Sequence, residues 1–266
     1  MVVTGTITLN PNGSVQGYTL REPDKLPPIV LRIVKQAVPA WSFVPVIEGG
    51  KAVAAKAGMS LRIVADMLDA QHAVMRIAGA EFGCDASDAH KLLPDACSGD
   101  STVTPLKRAS PRYPVEALKS WVGGEVFLVL QIGRDGHVQR AVVRQVNLYS
   151  LTRDRTHYRH VLADATLRAA RTWRYHIPAT GTEAEKDHWV VQAPVDYVID
   201  GTYAATRKYG QWSVYVPGPV QHIPWDDEDG RGASRGSADA IASGASFVQD
   251  VRFVLKTPLS GSSGQS

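Results

Sequence analysis

No run of about 20 apolar residues occurs in this chain, so no segment reads as a bilayer-spanning helix. A signal-peptide pattern is missing as well. Val2 to Leu9 alternates like a strand and leads straight into a turn. An exported form would therefore carry its leader outside this sequence. Cysteine is scarce, with only Cys84 and Cys97, thirteen positions apart in a polar segment. A local disulfide in an oxidising compartment is the favoured reading, and two free surface thiols are the alternative. Zinc is disfavoured because no second cysteine pair completes a site. Charge of one sign is also lacking, and a formal +3 is too small to argue for nucleic acid. The arginines at 153, 155, 159, 168, 171 and 174 come without aromatic-rich nucleic-acid motifs, so a solvated or peptide-facing surface is expected.

What the chain does have is core material and punctuation. A hydrophobic content of 44% supplies ordinary cores, while 16 prolines and 23 glycines favour short elements and loops. Its 266 residues suit one large domain or two small ones.

The order of those elements repeats. "TGTITLNPNGSVQGYTL" alternates through Leu9, turns at Asn12-Gly13 and alternates again from Val15, predicting a β-hairpin. "LPPIVLRIVKQAVPAW" predicts a helix starting near Pro27 and Pro28, with Ile29, Ile33, Val34 and Ala37 on its apolar face. Pro39 ends it, Trp41 and Phe43 open an extended run, and "SLRIVADML" supplies another strand. "VIEGGKAVAAKAG" reads as a connection. The second unit alternates at Val126, Leu128, Leu130 and Ile132, turns at Asp135-Gly136 and resumes from Val138 to Val142. A helix around Tyr158–Trp173 and a last strand in "HWVVQAPVDYVI" follow, where Pro194 demands an edge position or a bulge. Gly13-Ser-Val-Gln16 overlays Gly136-His-Val-Gln139, and Trp41-Ser-Phe43 overlays Trp173-Arg-Tyr175. A duplicated β-β-α-β unit is the expected organisation, its aromatic pairs locking helix to sheet.

No catalytic constellation emerges. His157 and His160 are the nearest approach to a metal pair, but no third ligand is evident. Asp226, Asp227, Glu228 and Asp229 lack the interleaved spacing of a calcium loop. Neither a nucleophile elbow nor a phosphate loop occurs.

Residues 111–199 resemble the C-terminal domain of TonB-type energy transducers. Tyr113-Pro114 with Ala117 leads, Gly124-Glu-Val126 opens the hairpin and Asp135-Gly136-His-Val138 forms its turn. Leu167, Ala169, Trp173-Arg-Tyr175 and Pro178-Ala179 complete the pattern. Residues 2–69 look like a degenerate copy without the Tyr-Pro leader. The resemblance implies an α+β fold of tandem two-layer modules, each a small antiparallel sheet with a packed helix. The expected divisions are a degenerate module over 1–83, a linker over 84–110, a TonB-like module over 111–200 and an extension over 201–266. That extension holds one further strand in Phe247–Leu255 and a disordered end. Tyr113, Pro114, Gly136, Trp173, Tyr175, Pro178, Trp41 and Phe43 are then structural.

The resemblance further implies a periplasmic, non-enzymatic adaptor without cofactor or metal. Its last strand would pair with an extended peptide of an outer-membrane receptor or another envelope protein. Carried onto this chain, the recognition strand is Trp189, Val190, Val191, Gln192, Val195 and Tyr197. The family's membrane anchor and proline-rich spacer do not precede the module here, and a glutamine common after the leader alanine is Leu118. The alternatives are a self-pairing structural protein of the envelope and a metal-dependent hydrolase using His157 and His160.

Overall fold

The computed structural model describes residues 1–69, 72–85, 101–202, 208–225 and 237–259. It shows a mixed α+β fold with few helices and one large antiparallel sheet. The first half runs β1 (Val2–Leu9), β2 (Val15–Leu20), α1 (Pro28–Ala37), the minor hairpin β3 (Ile47–Glu48) and β4 (Lys51–Ala52), then β5 (Ala55–Met67) and β6 (Ala73–Asp85). The second half begins with β7 (Thr104–Lys107), α2 (Val115–Lys119), β8 (Gly124–Gly133) and β9 (Val138–Leu148). It continues through α3 (Arg155–Ala170), β10 (Arg174–His176), β11 (His188–Tyr197) and β12 (Phe247–Gln249). Eight strands pair in the order β2-β1-β5-β6-β12-β11-β8-β9.

Both halves share one connectivity: a hairpin, a helix, then a strand returning beside the hairpin's first strand. β5 thus lies antiparallel to β1, with Val3 opposite Leu61, and β11 lies against β8, with Val195 opposite Val126. Hairpin turns correspond in detail. Gly13 and Gly136 adopt positive φ, 83° and 71°, a region in which a Cβ is strained. The side-chain oxygens of Asn12 and Asp135 each accept the amide two residues on, at 3.0 Å.

One face of the sheet carries the helices. In the first half Val3, Ile7, Leu9, Met59, Leu61 and Ile63 are buried with Val30 and Val34 of α1. In the second, Val126, Leu128, Leu130, Val191 and Ala193 are buried with Leu162 and Ala165 of α3. Helix boundaries move slightly from expectation. Asp154 caps α3 by accepting from the His157 amide, so that helix starts and ends about a turn earlier than its apolar spacing predicts. On α1 the fully buried positions are Val30 and Val34, while Ile29, Ile33 and Ala37 flank them half-buried.

Larger differences lie outside the repeats. Residues 73–85 form a thirteen-residue strand that the sequence pattern does not disclose. The expected connection contains the β3–β4 hairpin, and β5 starts at Ala55, ahead of Ser60. The end of the expected linker is β7, paired with β10, and it is preceded by the fully buried Val103. Most importantly, the described parts of the extension form a further layer. Ile223 and Trp225 pack on Val129 and beside Val142 and Val190, on the sheet face away from the helices.

Candidate functional site

The strand expected to recognise a peptide is β11, and it lies within the sheet. β8 pairs along its full length, and β12 flanks its other side with Gln192 opposite Phe247. Trp189, Val191, Val195 and Tyr197 are buried on the helix side, while Val190 and Gln192 turn to the other face. Pro194 offers no N–H, and its carbonyl accepts from the Arg108 guanidinium. Arg108 also donates to the carbonyls of Ala245 at 2.6 Å and Gly244 at 2.9 Å, and it lies over the Trp173 ring at 5.0 Å. Burial lowers the Arg108 pKa from its ordinary value. The proline thus sits within the sheet because an arginine, in place of a strand, meets that side.

Between the sheet and the extension lies a layer of buried polar groups. Gln192 donates to Glu81 at 3.5 Å, joining β11 to β6. The other Glu81 oxygen has no hydrogen-bond partner among the described residues. Burial pushes the Glu81 carboxyl up to about 8, against the opposing pull of Gln192 and Arg144. Asp239 meets Arg62 at 3.4 Å and accepts from Asn147 at 3.2 Å and Ser237 at 2.8 Å. Arg62 belongs to β5 and Asn147 to β9, on opposite sides of the eight-stranded order. The halves are therefore folded toward one another around the 3-10 turn Ala238–Ala240. Ser60 donates to Ala240 O at 2.5 Å and Ser243 donates to Glu125, so each half contributes to this grip.

The expected structural residues occupy their places. Tyr113 donates to Val122 O at 2.9 Å and meets Tyr197 edge-on, and Pro114 precedes α2. Trp173, fully buried, donates to Ala109 O at 2.9 Å, with Tyr175 and Pro178 buried after it. Trp41 and Phe43 are buried against Phe82. His157 contacts Glu116 at 3.0 Å, and His160 is exposed one helical turn away. Among the described residues no group of three or more His, Cys, Asp or Glu is arranged to hold a metal. Cys84 lies in β6 opposite Val248, whereas Cys97, the acidic run 226–229 and the tail 260–266 lie outside the described residues.

The outer strands differ in how they end the sheet. At β9 the chain covers its own edge: Val216 exchanges backbone hydrogen bonds with Leu148 at 2.7 and 3.0 Å, and Gln221 N donates to Arg144 O at 2.7 Å. At β2 no such segment lies alongside among the described residues. Because Arg21 N donates to Thr4 O at 2.8 Å, the inward-bonded positions alternate through Thr19 and Gly17. The backbone groups of Tyr18 and Leu20 therefore face outward, up to the register shift that sets Leu9 opposite Val15. Neither this edge nor Arg108 and Glu81 stands out in the sequence, because each depends on neighbours distant in the chain.

Among known proteins the chain matches no family model, no curated protein and no solved structure. No helix among the described residues is long and apolar enough to cross a membrane.

Proposed function

We propose that this protein is a non-catalytic adaptor of the periplasm, related in design to tandem TonB C-terminal modules. In this reading it holds an extended segment of an outer-membrane receptor or another envelope protein by strand addition. The residues of the family-like pattern and the repeated hairpin-helix-strand connectivity support the design. The recognition edge is β2. The carrying observation is the pair of outward backbone positions at Tyr18 and Leu20, with no segment alongside among the described residues. Its counterpart β9 bonds an extended segment of the chain itself, the kind of backbone pairing on which strand addition relies. β2 also lacks charges and proline, and of the usual devices that blunt an edge it carries only the register shift near Val15.

Backbone NMR of the full chain, titrated with a library of extended receptor-derived peptides, tests this reading. Saturable shifts centred on Tyr18–Leu20, lost in Tyr18→Pro, support it. Shifts confined to Trp189–Tyr197 would move recognition to β11 after displacement of β12. A dimer that forms through β2 before any peptide is added would favour the self-pairing alternative.

A further inference from the structure

α2 ends in a backbone motif that ordinarily asks for glycine. Trp121 N donates to Leu118 O at 3.1 Å and Val122 N to Ala117 O at 2.9 Å, the paired bonds of a Schellman ending. The residue at its left-handed position is Trp121, with φ 54°. That conformation is strained for a bulky side chain, and burial does not offset the strain, since Trp121 is 65% exposed. A folding role alone would favour glycine here.

Trp121 is accompanied by other exposed apolar side chains. Val115 and Leu118, at 65% and 45% exposure, precede it at three-residue spacing on α2. Leu151 is 83% exposed and follows Tyr149, whose amide donates to Gly123 O at 3.0 Å beside Trp121. Val214 is 79% exposed and joins the same rim, because Val216 pairs with Leu148 and the chains run antiparallel there. Three separate segments thus bring five apolar side chains to one end of the second half.

The surrounding charge selects an occupant. Arg112, Lys119, Arg153 and Arg155 are exposed around the rim, with no carboxylate partner among the described residues. The nearby acidic groups are engaged: Glu116 with His157 at 3.0 Å, and Asp154 with the first turn of α3. An apolar tip bearing a tryptophan within a cationic ring complements the layered chemistry of an anionic bilayer surface. We infer that residues 112–121 with Leu151 and Val214 form a membrane-surface docking rim for anionic lipid.

Co-sedimentation of the full chain with vesicles tests this. Binding is expected to phosphatidylcholine vesicles containing phosphatidylglycerol and not to phosphatidylcholine alone, and to weaken with added salt. Trp121→Gly should keep or raise the thermal midpoint while weakening binding about tenfold or more. The double variant Lys119→Glu, Arg153→Glu should also lose anionic binding without unfolding. No binding to the mixed vesicles, or wild-type binding by Trp121→Gly, overturns the assignment. So does a concentration-dependent dimer abolished by Trp121→Gly, which would give the rim to a second copy of the chain.

Discussion

The carbonyl oxygen of Tyr175 stands 2.3 Å from where a Cβ on Gly136 would lie, and the Tyr175 amide donates to Gly136 O at 2.9 Å. Phe43 does the same to Gly13, at 2.2 and 2.8 Å. Each hairpin turn is thus pressed onto the strand that leaves the helix, and glycine is required twice over, for its positive φ and for the contact. Gly136→Ala and Gly13→Ala should each cost at least about 2 kcal/mol in denaturant unfolding. Gly49→Ala is the control, because Gly49 has φ 56° in the tight β3–β4 turn but nothing within 4 Å of the added carbon. It should cost only about 1 kcal/mol.

That relationship also shows what the residues alone disclose. Overlaying Trp41-Ser-Phe43 on Trp173-Arg-Tyr175 is matched by β-bridges from Ser14 to Ser42 and from His137 to Arg174. Period-two alternation revealed the hairpins because one face of each is buried against a helix. β6 escaped because its pattern breaks: Gly79 and Gly83 interrupt it, Glu81 is buried, and its pairing shifts beside Arg62. The extension escaped because it covers the sheet through loops, a 3-10 turn and the short β12, none of which carries a period. Placing the recognition strand at β11 rested on that strand ending the sheet. Phe247 and Arg108, both distant in sequence from β11, occupy its other side.

Glu81 gives the protein an alkaline sensitivity. Its folded pKa of about 8 lies above the ordinary 4.5 because burial disfavours the charge. The folded chain therefore binds the proton more tightly than the unfolded chain. The contribution is complete below the ordinary carboxylate range, declines as pH rises toward 8, and is lost above it. Glu81→Gln should remove this dependence and raise stability at pH 8 by on the order of 2–4 kcal/mol. Urea melts of both proteins across pH 5 to 9 check it, and parallel curves would refute it.

The Arg62–Asp239 contact is nearly closed to solvent, with side-chain exposures of 7% and 9%. Removing one member strands the other charge, so Asp239→Ala should cost about 3 kcal/mol or more. Asp239→Asn keeps the shape and should retain the Asn147 contact after an amide flip, at a smaller cost. Because the aspartate also meets Asn147 of the other half, hydrogen exchange should quicken in both β5 and β9. Exchange confined to residues 237–246 would show that the turn covers the sheet without holding its halves together.

The two cysteines supply a prediction independent of the Arg62–Asp239 contact. A Cys84–Cys97 disulfide closing this short loop should contribute about 3 kcal/mol, lost on reduction or in the double serine variant. Alkylation of the unfolded chain followed by mass measurement reads the thiols directly. Two modified thiols in protein isolated under oxidising conditions would favour the free-thiol alternative.

Arg108 joins more of the molecule than any sequence pattern suggests. Its guanidinium lies on Trp173 and donates to carbonyls on both sides of the β11 edge, those of Pro194 and of residues 244 and 245. Truncation to alanine should cost about 2–4 kcal/mol, through buried carbonyls left unpaired and lost stacking. Lysine should restore little, since a single ammonium cannot reproduce a planar donor fork against an indole. The local consequence is more informative than the total. With Arg108 gone, β12 keeps one register pair on β11 and three on β6, so exchange of residues 190–195 should rise before global unfolding. If peptide binding then appears at Trp189–Val195 in Arg108→Ala and not in the wild type, Arg108 and β12 together close the strand that the family-like pattern marks for recognition. Unchanged exchange there would mean that β8 alone holds β11, and that the arginine serves the packing of Trp173.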